Sequence, residues 1–167
     1  MADFSYIACV WYVQSIASQL GTAPYILHKR PCDALIHRDI SGRNLLLVKR
    51  EKFNLLPLIK VADFGLTRMG PVYKMTIQHE VPFLVSAVEC LVDDAQWTFK
   101  SDCWSFGVLM WELFNNCMAE PYAAEGVHLD TGMLLDALKQ GLRLRVSADM
   151  QMPTEAETLM KDCFEIQ

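Results

Sequence analysis

The chain of 167 residues has no C-x-x-C pair; its six cysteines, Cys9, Cys32, Cys90, Cys103, Cys117 and Cys163, are scattered singly. That spacing excludes a zinc-ribbon or dithiol motif, matches reduced and mostly buried thiols, and points to a cytoplasmic compartment. No long run of one charge occurs either. The net charge of −5 is spread along the chain, so no nucleic-acid partner is expected. An acidic ligand such as a nucleotide would have to be held by local groups or by a metal. No apolar run is long enough to span a bilayer, and "MADFSYIACVWYV" carries an acidic residue where a signal peptide has basic ones. No membrane segment is expected within this chain. Internal repeats and low-complexity tracts are also missing.

What is present is enough for about one domain, able to bury roughly 70% of its surface. Apolar residues lie slightly above the roughly 45–50% of soluble domains, as they would in a chain lacking a neighbour over one face. Val10, Val13, Ile16, Ala17 and Leu20 recur at helical spacing before the stop signal "GTAP" (Gly21 to Pro24). "NLLLV" (Asn44 to Val48) and "LIKVA" (Leu58 to Ala62) read as two short strands, and the turn-prone "KREKFNLLP" between them predicts a hairpin. "GPVYKMTIQHEVPF" has no clean period and reads as an extended loop. From Ser101, "SDCWSFGVLMWELFNN" opens on cap-type residues and is then apolar on nearly all sides, which predicts a buried helix. "GMLLDALKQG", ending at Gly141, and the amphipathic "EAETLMKDCFEI" are two further helices.

Chemistry concentrates in "HRDISGRN" (His37 to Asn44) and, nineteen residues after Asn44, in "DFG" (Asp63 to Gly65). Alone, Asp39 after His37 and Arg38 could be no more than a salt-bridged turn. Together, two strand-terminal loops can bring Asp39, Asn44 and Asp63 towards one point. Carboxylate and amide oxygens suit Mg²⁺, whose remaining positions go to water and phosphate. Phosphoryl transfer needs such a metal and a carboxylate that orients the attacking hydroxyl and accepts its proton.

These motifs resemble those of the protein kinases. "HRDISGRN" fits H-R-D-x-x-x-x-N, and "DFG" fits the metal-binding triplet. "PFLVSAVE" (Pro82 to Glu89) stands where the family has its substrate-docking loop ending in A-P-E. "KSDCWSFGVLMWELF" (Lys100 to Phe114) is similar to the central helix, and "EPY" and "LMKDCF" resemble later landmarks. Arg43 directly before Asn44, with Ser41 where serine/threonine kinases carry Lys, resembles the tyrosine-kinase pattern H-R-D-L-A-A-R-N. The resemblance implies Asp39 as the base facing a substrate hydroxyl, with Arg43 placing it. It implies Asn44 and Asp63 as ligands of Mg²⁺ on ATP, and Leu46, otherwise a strand core residue, beneath the adenine. His37 and Phe64 are implied as packing residues, with Gly65 completing the Asp63-Phe64-Gly65 triplet. Asp102 would brace the catalytic loop; otherwise it is helix N-terminal charge. Tyr73 would be an activation-loop site whose phosphate pairs with Arg38; otherwise it is an ordinary loop Tyr. Partners implied are protein tyrosine substrates and SH2-type readers of phosphotyrosine. The expected location is cytoplasmic, or the cytoplasmic part of a membrane receptor.

The pattern also departs from the family. Val88 replaces the Pro of A-P-E, and Val85 stands where tyrosine kinases usually have Trp. No G-x-G-x-x-G and no V-A-x-K occur, and 36 residues precede His37, too few for an N-lobe of five strands and a helix. The chain ends before the last helix and the Arg that usually pairs with the Glu at position 89. The expected fold is therefore mainly α: a kinase-like C-lobe over residues 1–167 with a small β-hairpin beside the catalytic loop and no N-lobe sheet. Two functional readings stay open. One is a fragment of a tyrosine kinase, inactive in isolation. The other is a non-catalytic, kinase-like binding or regulatory module.

Overall fold

The computed structural model describes residues 35–48, 58–75, 82–126 and 130–165. The helix expected over Val10 to Leu20, its stop signal, the turn of the hairpin and two of the cysteines lie outside them. Helix α1 (Phe99–Phe114) runs through the centre of the described region. It begins two residues earlier than its sequence suggests, because Thr98 and Ser101 form a reciprocal cap. The Thr98 hydroxyl accepts from the Lys100 N–H (3.1 Å) and the Ser101 hydroxyl from the Thr98 N–H (3.0 Å). Val108, Leu109, Met110 and Trp111 occupy successive faces and are all buried, which explains the missing polar stripe.

Two shorter helices pack around this rod. α2 (Thr131–Lys139) is capped by Asp130, whose carboxylate accepts from Gly132 and Met133 N–H, and ends at Gly141 in a left-handed conformation (φ 95°). α3 (Thr154–Cys163) crosses α1 closely at Gly107. A Cβ there would lie 2.8 Å from both Cys163 Cβ and Phe164 Cε1, so only glycine permits the approach.

The strands are short antiparallel pairs. β1 (Leu35–Ile36) pairs with β4 (Arg68–Met69), and β2 (Leu45–Val48) with β3 (Leu58–Val61), in the register Leu45 to Val61 and Leu47 to Ile59. The second pair is the hairpin expected from sequence. β5 (Val72–Lys74) pairs with β6 (Gln96–Thr98), placing Tyr73 opposite Trp97. This corrects the reading of the Gly70 to Phe83 segment as loop throughout. The cysteines also differ from expectation. Of the four described, Cys90 is buried, Cys103 and Cys163 are half-buried, and Cys117 is exposed; none of the four is in a disulfide. Among the described residues, no helix is long and apolar enough to cross a membrane.

Candidate active site

The catalytic-type loop leaves β1, turns at Arg38 and closes in a short 3₁₀ turn (Gly42–Asn44) that leads into β2. Arg38 sits at φ 71°, a left-handed conformation costly for any residue with a Cβ. What holds it is Asp102, in the first turn of α1. One of its oxygens accepts the His37 N–H at 2.8 Å and the other the Arg38 N–H at 2.9 Å. Burial pushes the Asp102 carboxyl up to about 6, against the pull of those two N–H groups and of Arg38.

This turn aims the Asp39 side chain at its two companions. Arg43 donates to Asp39 Oδ1, and the Asn44 amide donates to Asp39 Oδ2 (2.8 Å) and to the Asp39 carbonyl (2.8 Å). Asp39 and Asn44 are buried while the Arg43 side chain is over half exposed. Both amide hydrogens of Asn44 are thus spent on Asp39, so Oδ1 is the atom with which Asn44 could hold a cation. From α1, Glu112 Oε2 accepts the Gly42 N–H at 3.4 Å; burial pushes its carboxyl up, and Gly42 and Arg43 pull it partly back.

Asp63 follows β3 and is held beside this loop by the hairpin, where the Ala62 N–H donates to the Asn44 carbonyl at 2.8 Å. It too is left-handed (φ 61°), and its Oδ1 accepts the Gly65 N–H at 3.1 Å. Phe64 is exposed but turns its ring onto His37, 5.1 Å between centroids, edge to face. His37 is buried; Nδ1 accepts the Asp39 N–H (3.3 Å) and the ring faces the Ala62 carbonyl. Desolvation lowers its pKa, and the edge contact with Phe64 joins one loop to the other. Among the described residues no three His, Cys, Asp or Glu side chains gather as a metal cluster. A set of Asn44 Oδ1 and Asp63 completed by phosphate and water is of the hard, oxygen-only type that fits Mg²⁺.

Arg38 turns away from the carboxylates and is buried. Its guanidinium lies between the rings of Tyr73 (4.6 Å) and Trp97 (4.7 Å) and donates to the Leu66 carbonyl (3.2 Å). Tyr73 is partly buried in β5 and also faces Arg68 at 5.2 Å. Leu46 is 54% exposed on the open side of the hairpin. Glu89 is exposed and joins no ion pair among the described residues.

Three positioning residues were not singled out from sequence. Trp97 closes the far face of the Arg38 cradle, and its pairing with Tyr73 across 24 residues leaves no local signal. Ser105 donates from α1 to the Val85 carbonyl at 2.7 Å and so ties the docking-type loop to the core. Glu112 did leave a signal: it is a lone carboxylate in an otherwise apolar helix stretch, and such groups need a reason.

Comparison with known proteins agrees with this geometry. The family described as protein tyrosine and serine/threonine kinase matches residues 8–167. Vascular endothelial growth factor receptor 1 of Gallus gallus is 35% identical over 153 residues, covering 90% of this chain and 10% of the receptor. Vascular endothelial growth factor receptor 2 of Mus musculus is 35% identical over 149 residues, covering 87% and 10% respectively. The chain thus spans about a tenth of the length of the curated relatives it matches. With the match running through nearly all of its residues, the chain belongs to the protein kinase family, in its tyrosine-kinase branch.

Proposed function

We propose that the described residues form the C-lobe half of a protein tyrosine kinase domain, and that their reaction is transfer of the ATP γ-phosphate to a protein tyrosine. The observation that carries this reading is the convergence of Arg43 and Asn44 on one buried carboxylate, Asp39. Both donors face the carboxylate, which fixes its rotamer. It can then orient a tyrosine hydroxyl and accept its proton as phosphate is transferred. Asn44 Oδ1 and Asp63 are the residues that would hold Mg²⁺. When bound, that ion neutralises charge on the phosphate oxygens.

Leu46, with Leu47, Val48 and Phe64, forms an exposed apolar face beside this point, suited to adenine and to a covering lobe. Arg38 is the cation available to a phosphate on Tyr73, and ordering of the loop through that pair would be its regulation. The same reading makes protein tyrosines the substrates and SH2-type modules the readers of the product. It puts the domain on the cytoplasmic side of a receptor of the kind its relatives are.

The sequence holds no glycine-rich loop and no V-A-x-K strand, so the chain by itself should neither transfer phosphate nor bind Mg²⁺-ATP at micromolar concentration. Titration calorimetry of the 167-residue chain with Mg²⁺-ATP tests this directly. The same lack favours a second reading, a non-catalytic kinase-like module. Fusing the N-lobe of a related receptor kinase ahead of the chain separates the two. Transfer to a tyrosine peptide that falls about 10²- to 10⁴-fold on Asp39→Asn supports the catalytic reading. A folded fusion without transfer, or one indifferent to Asp39→Asn, refutes it.

A further inference from the structure

Two of the cysteines come together at the crossing of α1 and α3. Gly107 has no side chain, and Cys163, the last residue of α3, takes up the space. Its Cβ lies 2.8 Å from the point that a Cβ at residue 107 would occupy. Cys103 stands one helical turn before Gly107 on the same face of α1, and Cβ atoms so related are about 5–6 Å apart. The Cβ atoms of Cys103 and Cys163 are therefore separated by less than about 9 Å, with only the bare Gly107 beside them. A disulfide needs about 3.5–4.5 Å between Cβ atoms. The closing movement falls on the end of α3, where a helix frays most readily.

Both thiols are half-buried, so a small oxidant can reach them, and neither is in a disulfide. Their surroundings make them unequal. Burial pushes the Cys163 thiol up to about 12, and the nearby Cys103 adds to the rise. Burial raises Cys103 as well, but Lys100 in the preceding turn pulls it partly back. Cys103 is thus the better nucleophile of the pair and Cys163 the partner that resolves.

We propose that Cys103 and Cys163 form an oxidisable dithiol, reduced at rest, which a hydroperoxide converts to a disulfide that staples α3 to α1. Cys103 attacks the terminal peroxide oxygen; the O–O bond breaks, hydroxyl passes to sulfur, and the leaving alkoxide or hydroxide takes up the thiol proton. The Cys163 sulfur then attacks the resulting sulfenic acid. The S–S bond forms as the S–O bond breaks, and the departing hydroxide leaves with the Cys163 proton as water. Two thiols lose two electrons, and one hydroperoxide gains them. The link would join α3 to the turn of α1 that carries Asp102, the carboxylate that braces the catalytic-type loop. It would also close a loop of about 60 residues, which restricts the unfolded chain and favours the folded one.

The test is peptide mapping of the reduced 167-residue chain after treatment with hydrogen peroxide and alkylation of the remaining thiols. Digestion with trypsin and chymotrypsin together separates Cys103 from Cys117, which lies beyond the other end of α1. A Cys103–Cys163 link should form in at least about tenfold excess over any other pairing, because the fold holds these two sulfurs at high effective concentration. Dithiothreitol should reverse it. In concentrated urea the same treatment should spread the links over several cysteines. The oxidised chain should melt at a higher temperature than the reduced one, and Cys103→Ser or Cys163→Ser should remove both the link and that rise. A native chain that gives the same mixture of links as the unfolded one overturns the proposal. So does sulfinic acid at either residue in place of the link, or a link that lowers the melting temperature.

Discussion

Asp102 shows how much one carboxylate decides. It accepts two consecutive backbone N–H groups, those of His37 and Arg38, with Arg38 in a backbone conformation that costs an ordinary residue about 1–2 kcal/mol. In Asp102→Asn the amide nitrogen faces one of those donors, and a buried N–H loses its acceptor, at about 1–3 kcal/mol. The melting temperature should fall, and the His37 and Arg38 amide resonances should move furthest. The pH dependence has a definite sign. The folded-state pKa of about 6 lies above the ordinary 3.8, so the native chain binds the Asp102 proton more readily than the unfolded one. The contribution to stability is full below about pH 4, is lost as pH rises through about 6, and is flat above that. Asp102→Asn does not titrate there. The stability gap between wild type and variant should therefore widen from pH 7 to pH 4, as chemical denaturation at both ends of the range can read. A gap that narrows on acidification contradicts the assignment.

The elements differ in how far local sequence specifies them. α1 was readable because four-sided apolarity over Trp104 to Phe114 is a local property and the described chain buries it on all sides. Its start was misplaced by two residues because Ser101 is cap-type but serves as the third residue of a cap that begins at Thr98. The β2–β3 hairpin was readable from two apolar runs; β5 was not, since its partner β6 lies over 20 residues on and three residues carry no period. The site divides the same way. The set Asp39, Asn44 and Asp63 came from motif spacing, whereas the burial of Arg38 between Tyr73 and Trp97 comes from contacts that exist only after folding. Helix-on-helix contact is equally invisible locally, and Gly107 is its clearest instance. Gly107→Ala gains about 1 kcal/mol of helix propensity but forces a Cβ into Cys163 Cβ and the Phe164 ring. Overpacking of that kind costs about 1–3 kcal/mol. A net loss of thermal stability is expected, and an unchanged or raised melting temperature would show that α3 can slide on α1.

At the scale of the whole molecule, the site is suspended between a rigid half and an open one. Asp102 and Glu112 belong to α1, whose side chains Val108 and Leu109 are fully buried. Leu46, Asp63 and Phe64 belong to or border the β2–β3 hairpin, where Leu46 and Leu47 are 54% and 58% exposed. A two-stranded pair with one open face is marginally stable alone, so this hairpin depends on contacts such as Ile59 against Leu109. Asp39, whose loop is fixed from below by α1, should thus be pre-organised, while the Asp63 side of the site awaits whatever covers the hairpin. Native-state hydrogen exchange can measure that division. In the free chain the Val108 to Trp111 amides should exchange only through global unfolding. The hydrogen-bonded amides of β2 and β3 should open locally, with protection at least about 100-fold lower, or near 2.7 kcal/mol. Joining an N-lobe ahead of the chain should raise hairpin protection and leave the α1 amides little changed. If hairpin and helix exchange at the same rate in the free chain, the open face is not a weak point, and the order of Asp63 does not depend on a covering lobe.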